Sequence, residues 1–160
     1  LSTTRTSQEL LDRARAIWDK RQAAVDAGSA DATQLAQFYW WVHSNKFPVS
    51  WWLPRLSHVA DLIDFEGRSF LGAHLDAAAR EYPGETIGLM SRLLAKDGNS
   101  LARHGLVRAA PKVIARGLRS DSEAVSQAAQ SLMDMLGQQG IVDMDVQVAR
   151  AADELSREGL

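Results

Sequence analysis

Four histidines, His43, His58, His74 and His104, are the side chains of this chain best suited to acid–base work or metal ligation near neutral pH. No two of them stand at the His-x-x-x-His spacing that brings two imidazoles onto one turn of a helix. His74 falls on the apolar stripe of its segment, the setting of a hydrogen-bonded core histidine rather than of a ligand. Asp61, Asp64 and Glu66 gather just before Gly67, where a polar, solvated turn accounts for them. Paired acids for general acid–base catalysis need opposed environments, and nothing in the neighbouring residues separates these three. There is no Gly-x-Ser-x-Gly elbow, no Gly-rich phosphate loop and no dinucleotide fingerprint. The absence of cysteine removes disulfides and thiolate metal sites and makes a reducing cytoplasm the default compartment. The residue chemistry therefore points away from an enzyme, and it calls for no cofactor and no metal.

Two constellations suit binding instead. Phe38-Tyr39-Trp40-Trp41, Phe47 and Trp51-Trp52 place seven of the eleven aromatic residues within fifteen positions. Neighbouring residues on a helix point about 100° apart, so Trp40 and Trp41 cannot both enter one core, and neither can Trp51 and Trp52. One reading is a clasp between two helices across a turn at Phe47-Pro48. The other is an exposed patch in which Trp40, Trp41, Trp51 and Trp52 dock a partner or a neighbouring domain. The second constellation is Arg108, Lys112, Arg116 and Arg119, whose i, i+4, i+8, i+11 spacing aligns them on one helix face. Such a ridge is either an ordinary solvated face, partly neutralised by the acidic segment from Asp121, or a track for phosphates or an acidic protein surface.

The formal net charge of -2 conceals this segregation. Between Gly98 and Ser120 there are five basic residues and no acidic one; from Asp121 to Leu160 there are eight carboxylates against Arg150 and Arg157. Charge separation of this kind bears on partners and solubility, not on fold. No apolar run approaches the roughly eighteen residues that span a bilayer, so no membrane role is expected. The apolar fraction of 46% is enough for a continuous core. The chain opens on Leu1 and runs directly into a helical pattern, as expected of one helical domain, residues 1–160, cut from a longer protein.

The elements that must position these side chains are all helical in period, and no segment alternates like a strand. Thr6-Ser7-Gln8-Glu9 has capping-box spacing ahead of a stripe through Leu10, Leu11, Ala14, Ile17, Trp18 and Val25, closing near Gly28. Asp31 is placed to cap a helix reaching Ser44, and Ser50 one carrying Trp51 to Ile63, with Pro54 in its first turn. Gly67 precedes a helix with Leu71, His74, Leu75, Ala78 and Tyr82; Pro83-Gly84 is a turn, and Ile87 to Leu94 the next helix. Lys96 to Asn99 reads as a loop. Leu106 to Leu118 keeps the helical period across Pro111, which predicts a kink or short break. Asp121 or Ser120 would cap the helix buried along Val125, Ala128, Ala129, Leu132 and Leu136 and ending at Gly137–Gly140. Asp143 would cap a last one with Val148, Ala152 and Leu155 inward.

A shift of 38 residues superimposes Leu75 on Val113, Glu85 on Glu123, Ile87 on Val125 and Leu94 on Leu132. One helix hairpin leaves an apolar face bare, and stacking the next hairpin covers it. The pattern Asp121-x-Glu123-x-Val125-x-x-Ala128-Ala129-x-x-Leu132-x-x-x-Leu136-Gly137 resembles the second helix of a HEAT-like repeat. The likeness is strongest over that helix, weaker over Leu71–Leu94 and weakest over the first 65 residues. It implies an all-α, right-handed superhelix of about three hairpins with partial hairpins at its ends, an α-solenoid that binds proteins or, less often, nucleic acid. The aromatic segment and the helix pairs are also similar to the helical C-terminal regions of large bacterial NTPase-type and anti-phage defence proteins. That similarity implies a scaffold or recognition module of a larger bacterial cytoplasmic protein. Its partner would be a protein or another domain of the same chain; nucleic acid on the ridge Arg108–Arg119 is the alternative.

Overall fold

The computed structural model describes residues 2–96 and 103–159, and within them the chain is helical with no strand. The order is α1 (Ser2–Asp26), a 3₁₀ turn at Ala32–Leu35, α2 (Tyr39–His43), α3 (Val49–His58), a second 3₁₀ turn at Ala60–Leu62, α4 (Phe65–Phe70), α5 (Gly72–Ala78), α6 (Pro83–Ala95), α7 (Arg103–Leu118), α8 (Glu123–Gln138) and α9 (Met144–Arg157). One continuous apolar core runs from Trp18 to Leu155.

Two rows of helices enclose this core. α5, α7 and α9 pack in succession, with α4 extending the α5 rod against the start of α7. α6 and α8 lie behind them, each against α7, and α6 reaches back to α3 and to the turn at Ala60–Leu62. α2 packs on α3 and α4. Of the residues related by the 38-residue shift, Leu75 and Val113 are fully buried, and so are Leu94 and Leu132, whereas Ile87 is fully buried and Val125 only partly. Glu85 and Glu123 each occupy the first turn of their helix, where a carboxylate is favourable against the amide ends.

The rod α4–α5 bends at Leu71 and crosses α7 with backbone against backbone. A methyl group at Gly72 would overlap the carbonyl oxygen of Gly105, and one at Gly105 would overlap that of Ser69. Only glycine permits this approach, and the approach in turn sets the spacing between α4–α5 and α7.

At several helix ends the structure departs from the expected pattern. α1 begins at Ser2, so Thr6 lies inside it instead of capping it. Asp31 does cap, its carboxylate accepting from the Thr33 amide at 2.9 Å, but the helix expected as far as Ser44 is a 3₁₀ turn and the five-residue α2. Leu35, Phe38, Tyr39 and Val42 must all reach the core, and a broken rod serves that spacing better than a straight one. α3 starts at Val49 behind an extended Pro48, not at a Ser50 cap, and Pro54 lies beyond its first turn. It ends at His58, and Ile63 reaches the core from extended backbone after the second 3₁₀ turn. Asp64 caps α4 through the Gly67 amide at 2.8 Å, which puts Gly67 inside a helix rather than before one. Pro83 is the first residue of α6, where its missing amide costs nothing. α7 continues across Pro111 without a break. Ser122 caps α8, its hydroxyl accepting from Val125, in place of Asp121 or Ser120. Asp143 stands at the head of α9 in a left-handed conformation and makes no side-chain cap there. The loop expected at Lys96–Asn99 lies, after Lys96, outside the described residues.

Candidate functional site

The aromatic residues divide into an inner cluster and an outer strip. Inside, Trp18 of α1 stacks on Phe38 with ring centroids 4.4 Å apart and on Trp41 at 5.6 Å. Trp41 meets Phe47 at 5.3 Å, and Phe47 meets Trp51 at 4.7 Å. Trp52 is 4% exposed and belongs to the core. The cluster is sealed by cations: the Arg55 guanidinium lies 4.5 Å from the Trp51 ring centre and donates to both carboxylate oxygens of Asp19, at 2.8 and 3.0 Å. His58 and Asp26, 3.0 Å apart, make a second tie between α3 and α1. Trp41, Trp51 and Trp52 therefore clasp helices together. Trp52 in particular cannot serve the docking role considered for it from sequence, because its ring is covered.

Trp40 points the other way. It is 49% exposed and lies 6.4 Å from Phe70 of α4, itself 45% exposed. His43 packs on both rings, at 6.0 and 5.6 Å. Its Nδ1 lies 3.3 Å from Nε2 of His74 on α5, a hydrogen bond in which one imidazole donates and the other accepts. Burial, with the proximity of His43 as the lesser cause, holds His74 below the ordinary histidine value. The bonded histidine expected at position 74 is thus present, though partly exposed, and its partner is another imidazole. The sequence reading missed Phe70 and His43. The i, i+4 pair Phe70–His74 was the available signal, but a helix break placed at Gly67 and not at Leu71 obscured it.

The basic ridge faces outward along α7. Arg108 and Arg119 are exposed; Lys112 and Arg116 are partly buried. Two of the four have acidic neighbours, and both neighbours come from the flanking helices of the same row instead of from α8. Lys112 Nζ lies 4.0 Å from Glu154 of α9, and Arg116 Nε 3.8 Å from Asp76 of α5. These are loose ion pairs, too long for good hydrogen bonds. Far apart in sequence, the strip and the ridge are neighbours in space: α4–α5 packs against α2 on one side and against α7 on the other. Arg108 and Arg119 stay exposed although α4, α5, α6, α8 and α9 all pack on α7.

No protein-family model, no curated protein and no solved structure matches the chain. Among the described residues no group of three or more histidines and carboxylates gathers where a metal ion could be held, and no helix is long and apolar enough to cross a membrane.

Proposed function

We propose that the chain is a non-catalytic recognition module, a scaffold element of a larger bacterial cytoplasmic protein, which docks a protein partner on its outer row of helices. In this reading the architecture is a right-handed stack of about three HEAT-like hairpins with partial hairpins at both ends. Support for the stack comes from the succession of packing α5–α7–α9 and α6–α8, and from the full burial of Leu75 with Val113 and of Leu94 with Leu132. Exposed apolar side chains at the two ends, Leu10 and Ile17 on α1 and Val142 and Val146 at α9, suit a stack that adjoins further domains of its parent chain.

The observation that carries the docking site is the pair Trp40–Phe70. Two large aromatic rings from separate helices stand half exposed in contact, a costly arrangement in a free surface and a common one in an interface anchor. Arg108 and Arg119, exposed on and just beyond α7, against which α4 packs, favour a partner that flanks an apolar anchor with carboxylates. The test is quantitative capture by the immobilised full chain, compared with Trp40→Ser/Phe70→Ser and with Trp51→Phe. The double variant is expected to lose the partner by about tenfold or more at unchanged helicity, whereas Trp51→Phe, in the inner cluster, keeps it. Equal recovery by all three would remove the strip from consideration.

A nucleic-acid-binding reading stands second, favoured by the adjacency of cations and exposed rings, the combination that holds single strands. The carboxylates of Asp76 and Glu154 beside two of the four ridge cations count against it. A mobility shift that weakens steeply with salt would put it first.

A further inference from the structure

At the far end of the outer row, the ends of α5 and α7 enclose a cleft of about 260 Å³ lined by Ala79, Arg80, Pro83, Arg116, Arg119 and Leu155. Three guanidinium groups thus border one small space. Arg116 has only a tenth of its side chain exposed, and its buried Nε makes no hydrogen bond. The nearest carboxylate, Asp76, stands 3.8 Å off, and its buried Oδ1 is likewise without a hydrogen-bond partner. Neither Arg80 nor Arg119 is paired with a carboxylate among the described residues. Three cations against one carboxylate leave a net positive charge in a cleft that partly excludes water, where a unit charge acts over a lower dielectric than in bulk.

The fourth contribution is backbone. Pro83, on the wall of the cleft, is the first residue of α6, a helix of 13 residues. No side chain caps it at Tyr82, and Glu85 is the one carboxylate in its first turn, so amides at its amino end remain open to a further acceptor. A basic residue in the last turn of α7 is itself favourable against the carbonyl ends of that helix. That accounts for Arg116 alone, not for the approach of Arg80 from another helix to the same cleft.

We propose that this cleft binds a phosphoryl group, held by Arg80, Arg116 and Arg119 beside the amino end of α6. Guanidinium forks match the oxygens of a tetrahedral dianion, and the buried Arg116 Nε, in a loose ion pair with Asp76 but without a hydrogen bond, is a donor already stripped of water. Ala79, Pro83 and Leu155 give the cleft an apolar wall against which a small group esterified to the phosphate can rest. The site shares Arg119 with the cations that flank the docking strip, but none of its residues is Trp40, His43, Phe70 or His74, so phosphate binding and partner capture can be read separately.

The experiment is a titration of the full chain, followed through its backbone amide resonances, with inorganic phosphate, O-phosphoserine and adenosine monophosphate. Sodium chloride at matched ionic strength is the control. Saturable shifts at Gly84 and Glu85 are expected with phosphate and not with chloride. The exposed pair Arg80→Gln/Arg119→Gln is expected to weaken binding about tenfold or more. Arg13→Gln, exposed on α1 and outside the cleft, leaves it unchanged. Arg119→Lys, which keeps the charge and loses the fork, falls between. Tighter binding of phosphoserine or the nucleotide names the ester as the source, and equal binding names the free ion. A linear response without saturation, an equal response to chloride, or unaltered affinity in the Arg80/Arg119 pair would overturn the proposal.

Discussion

Trp40 and Trp41 share a peptide bond and little else. The turn of the helix sends Trp41 into the rings of Trp18 and Phe47, and Trp40 out to Phe70. That the two must diverge was legible in the sequence, because it follows from helical geometry alone; which of them is covered depends on α1 and α4, elements far from either. The histidine pair makes a similar point. His74 was readable as a bonded histidine on an apolar stripe, but its partner arrives from α2, 31 residues earlier. His74 is depressed below its ordinary value of 6.5, chiefly by burial. The unfolded chain therefore takes up the proton first as pH falls. Stability contributed by the neutral imidazole is whole above 6.5 and is lost as pH drops through that value toward the lower folded one. Melting temperature is expected to fall between about pH 7.5 and about pH 5.5, and His74→Gln to flatten that dependence. A profile identical in the two proteins would show that His74 does not titrate as described.

At the scale of the element, helix existence was readable and helix ends were not. Ile87, Met90, Leu93 and Leu94 define α6 by period alone, and Val125, Ala129, Leu132 and Leu136 define α8. The stretch from Asp31 to Gly72 was misjudged, because Leu35, Phe38, Tyr39, Val42, Trp52, Leu56 and Ile63 all reach the core and the backbone is broken to let them. Glycine placement is the clearest instance: Gly67, read as preceding a helix, lies within α4, and Gly72, inside the helix expected after it, opens α5 at a backbone crossing. A Gly72→Ala substitution pushes a methyl group into the Gly105 carbonyl, and rigid backbone on both sides leaves no cheap relaxation. The expected cost is about 2 kcal/mol, a drop in melting temperature of about 5 °C. Gly88→Ala, where an added methyl meets nothing, is expected to hold or raise the melting temperature. Equal effects at the two positions would remove the crossing as a packing constraint.

Over the whole molecule, the charge segregation visible in the sequence resolves into cross-helix neutralisation. Cations of α7 sit beside carboxylates of α5 and α9, and the surplus remains at Arg80, Arg108 and Arg119. The carboxylates of α8 are engaged along their own helix: Glu123 accepts from Gln127, and Asp134 from Gln130. The proposed open array draws on the long helix at one end, on packing in succession within each row and on bare apolar residues at both ends. The chain exposes 9177 Å², where a compact monomer of its 17.6 kDa mass would expose about 7,900 Å². An open array is also what leaves the outer row free to bind, so the functional reading depends on it. Small-angle X-ray scattering of the monomer is the direct test. A radius of gyration clearly above the roughly 15 Å of a compact chain of this length, with a distance distribution skewed to long spacings, is expected. A value near 15 Å with a symmetric distribution would mean that the helices close around a single centre.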